Sequence, residues 1–128
     1  MLLAALPQME YRTVGPDASM THDAADFRGV PASLLRDRAS LSGLLIAAAG
    51  AAGLTAVEPP LVRLLPRGGL VIMLLLDLGH VALHTIPDDG VLALDLLVSA
   101  NKDARQAVDV VTRRLNLRAT RATHADRG

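Results

Sequence analysis

The chain has 128 residues, a formal net charge of +0 and no cysteine. That length gives one domain with a modest core; the charge balance favours neither nucleic acid nor an anionic membrane. The absence of thiols excludes disulfides, thiolate zinc sites and cysteine nucleophiles, and with Phe27 and Tyr11 as its only aromatic residues the chain offers a nucleotide base little to stack on.

Residues 1–21 mix Pro, Gly, Asp and Ser without periodicity and are expected to form a loose tail. The apolar start 1–6 has no basic segment before it and stops at Pro7, which does not make a signal peptide. Residues 22–27 are expected as a first, weak strand. Ser33 or Asp37 starts a helix whose apolar positions Leu41, Leu44, Leu45, Ala48 and Ala52 recur at helical spacing, with Gly53 suited to a left-handed cap. In 56–64 the pair Pro59-Pro60 allows only an irregular or edge strand, and 66–69 is a turn. The run 70–77 has the length of a strand buried on both faces. It is apolar, like 44–54, but each falls short of the roughly 20 residues that span a bilayer.

Asp77-Leu78-Gly79 turns the chain into a strand over 80–85, with His80, Ala82 and His84 on one face and Val81, Leu83 and Thr85 on the other. Pro87-Asp88-Asp89-Gly90 is a turn. A strand follows over 91–99, with Leu92, Leu94, Leu96 and Val98 on one face and Asp95 interrupting the other. Asn101 is read as the N-cap of a helix over 102–115 with the stripe Ala104, Ala107, Val108, Val111 and Leu115. Residues 117–123 read as a last edge strand, and 125–128 as a tail. The pattern predicts one α+β domain over 22–124: a two-layer sandwich, an antiparallel sheet with two helices on one face.

Several residues invite a chemical reading. Histidine is the side chain that exchanges protons near neutral pH, so His84 is either a general acid or base or a structural histidine hydrogen-bonded inside the sheet; the second is preferred. His80, His84 and Asp95 make at best a loose metal site, and none is expected. Gly68-Gly69 lacks the following helix start of a phosphate loop, and the arginines from Arg113 to Arg127 read as a solvated face.

The segment Gly79-His80-Val81-Ala82-Leu83-His84-Thr85-Ile86-Pro87-Asp88-Asp89-Gly90 resembles the self-cleavage segment of bacterial and archaeal S-adenosylmethionine decarboxylases. The likeness extends over 22–117: His22, Asp26 and Phe27 in the first strand, Ala51-Ala52-Gly53 ending a helix, Pro66 and Gly68 in the turn, and Gly90, Leu92 and Asp95 after the segment. It implies the family's α+β sandwich and a dimer. In that family a serine becomes a pyruvoyl cofactor, which serves as the electron sink for decarboxylation. The resemblance puts Gly79 at that serine, Val71 at a second serine that assists processing, and Ser99 at a proton-donating cysteine. It puts Leu64 at an aromatic that stacks on adenine and Asp88 at an acid that holds ribose. His84 matches the processing and catalytic histidine, and His80 the histidine beside the cleavage point.

Glycine has no hydroxyl to form the ester that precedes cleavage, so no pyruvoyl cofactor is expected. The reading that follows is a non-cleaving, cytoplasmic member of the family, a homodimer or a heterodimer with an active paralogue, binding a partner or a small S-adenosylmethionine-like ligand, without nucleic acid or membrane. The alternative is an active decarboxylase of spermidine synthesis.

Overall fold

The computed structural model describes residues 19–128. Six strands, β1 (Met20–Phe27), β2 (Leu61–Leu64), β3 (Leu70–Leu75), β4 (Gly79–Ile86), β5 (Val91–Ser99) and β6 (Arg121–Arg127), form one sheet in the order β2-β3-β4-β5-β1-β6. Every neighbouring pair is antiparallel. A short helix α1 (Ala32–Leu35) and two longer ones, α2 (Arg38–Ala51) and α3 (Arg105–Leu115), complete the fold. This is the expected α+β sandwich, with one extra helical turn.

Alternation along the strands sets the layers. Ala25 and Phe27 of β1, Ile72 and Leu74 of β3, Val81 and Leu83 of β4 and Leu92, Leu94 and Leu96 of β5 are buried beneath Leu41, Leu45 and Ala48 of α2 and Ala107 and Val111 of α3. Their odd-even partners point to the opposite face of the sheet, where β3 and β5 are half-buried. β3 is therefore not buried on both faces within this chain. Among the described residues, no helix is long and apolar enough to cross a membrane.

Capping explains where α2 begins and ends. Asp37 accepts hydrogen bonds from the Ser40 N–H (3.1 Å) and hydroxyl (2.7 Å). Gly53, at φ 71°, turns the chain out of the helix as Leu54 N–H donates to Ala49 O. Ser33 lies inside α1 instead of starting α2.

Boundaries of β1, α3 and β6 differ most from expectation. Met20 and Thr21 belong to β1, paired with Ser99 and Val98, and not to a tail. Asn101 does not cap α3: its side-chain oxygen accepts from the Ser99 hydroxyl (2.8 Å), and the helix starts later, where Asp103 accepts from Arg105 N–H (3.0 Å). Val110 joins the expected Ala104, Ala107 and Val111 in the core, and Val108 and Leu115 are only partly buried. β6 spans Arg121–Arg127, so it lies four residues beyond the expected strand and takes in most of the expected tail. Leu117 and Ala119 alternate because they pack against the core on the approach, and Thr120 N–H then docks on Asp26 O (2.7 Å). The rest of the expected amino-terminal tail lies outside the described residues.

Candidate functional site

The strand registers lay the open face of the sheet out in rows. Leu97 of β5 is paired with His22 of β1 on one side and His80 of β4 on the other. The next row is Ala24, Asp95, Ala82 and Met73; the one after is Asp26, Ala93, His84 and Val71. Three alanines thus fall together among longer side chains. They leave a cavity of about 330 Å³ whose rim carries Asp26, His80, His84 and Asp95 and whose wall includes Val71 and Met73.

Asp95 sits diagonally between two imidazoles. His22 Nε2–H donates to its Oδ1 (2.6 Å) and His80 Nε2–H to its Oδ2 (3.1 Å). Partial burial pushes the Asp95 carboxyl up, but the hydrogen bonds and charges of His22 and His80 outweigh burial and hold it below its ordinary value. An acid whose folded value lies below its unfolded one contributes stability that is complete above about pH 4 and fades as pH falls through the folded value. Asp95→Asn is therefore expected to flatten the acid limb of a stability–pH curve measured by urea unfolding. An unchanged limb would show that the two histidines do not act on it.

His84 behaves differently from the preferred expectation. It is exposed on the cavity rim and makes no side-chain hydrogen bond among the described residues, so it is not a histidine locked inside the sheet. His22 and Asp26 entered the sequence reading only as marks of the family likeness, yet the structure brings His22 to Asp95 and Asp26 to the cavity. The period of two that places His22, Ala24 and Asp26 on one face of β1 was the available signal. No group of three metal-ligating side chains able to hold an ion occurs among the described residues.

The other expected site residues lie apart from this cavity. Ser99, bonded to Asn101, lines a polar recess with Asp77, Leu78 and Lys102 at the far end of β4 and β5. Gly79 begins β4 at that same end, with φ 96°. Asp88 stands in the 3-10 turn between β4 and β5, where Arg36 (3.4 Å) and Arg67 (3.5 Å) each approach one of its oxygens. Leu64 is 69% exposed on the edge strand β2.

A pyruvoyl group derived from residue 79 does not fit this arrangement. The position supplies neither a side-chain hydroxyl nor a β-carbon, and its backbone holds a conformation that residues with side chains rarely adopt.

Comparison with known proteins agrees with the architecture. Residues 21–128 match the family model described as S-adenosylmethionine decarboxylase. The chain is 34% identical over 121 residues to an S-adenosylmethionine decarboxylase proenzyme of Brevibacillus brevis, covering 94% of this chain and 86% of that protein. It is 26% identical over 115 residues to a proenzyme of the same name from Pyrobaculum neutrophilum, covering 89% and 93%. The crystal structure of the adenosylmethionine decarboxylase from Aquifex aeolicus superposes with a TM-score of 0.74 at 26% identity, over 87% of this chain and 92% of that one. A family match over nearly all the described residues, joined to the same fold, makes this chain a member of the S-adenosylmethionine decarboxylase family.

Proposed function

We propose that this protein is a non-cleaving member of its family, without a pyruvoyl group, which binds a small ligand or a partner subunit in the cytoplasm instead of decarboxylating a substrate. One feature carries the reading: the resemblance sets Gly79 where the chemistry needs a serine, and glycine lacks the hydroxyl that forms the ester and the β-carbon across which elimination runs. Three further positions support it. The Ser99 hydroxyl, a much weaker acid than a thiol, is turned toward Asn101. Leu64 offers no ring to a base. The Asp88 carboxylate already faces two guanidinium groups.

The open face of the sheet suits the family's dimer, as a homodimer or with an active paralogue. Its cavity suits a small ligand with a cationic group, since Asp26 and Asp95 border an apolar alanine floor. That same cavity, with His80 and His84 on its rim, is what favours the second reading: an active decarboxylase of polyamine synthesis, acting on S-adenosylmethionine or a related amino acid by a changed mechanism.

Intact mass and turnover together separate the two. A single species of the full chain, with no carbonyl-reactive terminus and no release of labelled carbon dioxide from carboxyl-labelled S-adenosylmethionine, is the expected result. Two fragments divided between Leu78 and Gly79, or turnover by the purified protein alone, would overturn the proposal. Titration against an active paralogue then tests the regulatory role; constant turnover at every ratio excludes it.

A further inference from the structure

We infer that residue 79 has been closed by the packing of the backbone, so that restoring serine there cannot restore self-cleavage. The inference rests on the non-cleaving reading above and goes beyond it: the missing hydroxyl is only part of what prevents the reaction.

A β-carbon added to Gly79 in its present conformation would overlap the carbonyl oxygen of Leu97, stand 2.8 Å from that carbonyl's carbon and lie 3.2 Å from Met20 Cε. The methionine tip can move aside. The carbonyl cannot move freely, because Leu97 lies in β5 between two paired strands, opposite His22 of β1 and His80 of β4. The Asp95 bridge to those same two histidines ties the three strands together one row away. Withdrawing β5 to admit a side chain would disturb both ladders. On the other flank, the turn that leads into Gly79 is held by Leu76 N–H on Gly79 O (3.1 Å) and by Leu78 N–H on Asp77 Oδ1 (2.8 Å).

The backbone angle adds a second obstacle. At φ 96° an L-residue is strained wherever its side chain points. A serine forced into this site must either displace β5 or leave the angle that now closes the β3–β4 turn. In both cases its hydroxyl loses the fixed relation to the preceding carbonyl that ester formation requires. The Leu97 carbonyl thus occupies the space from which a residue-79 side chain would act.

The test uses the full chain with Gly79→Ser, Gly79→Ala and Gly79→Asn, and Gly43→Ala as a control at a helix position where a β-carbon meets nothing within 4 Å. Thermal midpoint and intact mass are measured for each. All three residue-79 variants are expected to fall by about 10 °C and to stay in one piece, while the control keeps or exceeds the parent midpoint, since alanine favours a helix interior over glycine. Asparagine tolerates positive φ better than alanine; an equal loss for the two identifies the Leu97 contact as the dominant cause. Failure of the three to fold while the control folds supports the inference equally. A Gly79→Ser protein with the parent midpoint, or one that splits at residue 79, overturns it. Cleavage or turnover by the unmodified protein is a different outcome: it would remove the proposed function and leave the packing at residue 79 standing.

Discussion

Replacing Phe27 by alanine is expected to cost about 3–5 kcal/mol and to lower the thermal midpoint by roughly 10–25 °C. Phe27 closes β1, is 0% exposed and, among the described residues, is the one aromatic side chain in a core otherwise aliphatic. Its ring fills the space opposite Leu92. Branched aliphatic neighbours held by two ladders cannot collapse far into the cavity that truncation leaves. Against a total stability of about 5–15 kcal/mol for an ordinary domain, the loss is severe. Phe27→Leu keeps most of the volume and should retain most of the stability. Equilibrium denaturation of both variants checks the prediction, and a near-equal, small loss for the two would show that the core repacks.

Thr85→Val is expected to cost about 2–5 kcal/mol although it preserves shape. Thr85 is 1% exposed. Its hydroxyl accepts from Leu70 N–H (2.9 Å) and donates to Leu35 O (2.8 Å), joining the start of β3 to the end of α1 through β4. Valine leaves both backbone groups buried without that partner, and an unmet buried polar group costs far more than a hydrogen bond gains. Thr85→Ser retains the oxygen and loses only a methyl group, so it should be the milder change. A valine variant as stable as the serine one would show that water or local movement replaces the hydroxyl.

Much of the fold was legible in the sequence because local rules decided it. Period-two alternation placed Val81, Leu83 and Thr85 against the helices and His80, Ala82 and His84 on the other face, as the register confirms. Asp37 and Gly53 announced the ends of α2. Where the reading went astray, a contact distant in sequence had won. Asn101 was a sound N-cap by type, but the Ser99 hydroxyl claimed its oxygen. The position of β6 depends on Thr120 reaching Asp26 and on His124 Nδ1–H donating to the nearly buried Asp23 (2.8 Å), a partner 101 residues earlier. No window of neighbouring residues contains that information.

The site was legible by residue type and not by arrangement. His80 and His84 were found, yet the bridge that orients His80 needs Asp95 from the next strand and matches it with His22 from a third. Asp88 was chosen for its carboxylate, while its neighbours Arg36 and Arg67 come from two other segments. A linear reading sees which groups exist; only the registers show which of them share a row.

Thr85 anchors two backbone groups; Pro87 is buried at the start of the turn; Gly90, at φ 67°, receives a bond from Val30 N–H (3.0 Å) through its own carbonyl. All three serve the corner where β4 becomes β5. A chain with this fold needs that corner in order to fold, whether or not it carries out the family's reaction. The pattern that announces the family is therefore in large part a signature of how a hairpin is closed. Substitutions that open the corner are expected to lower stability independently of any effect on activity.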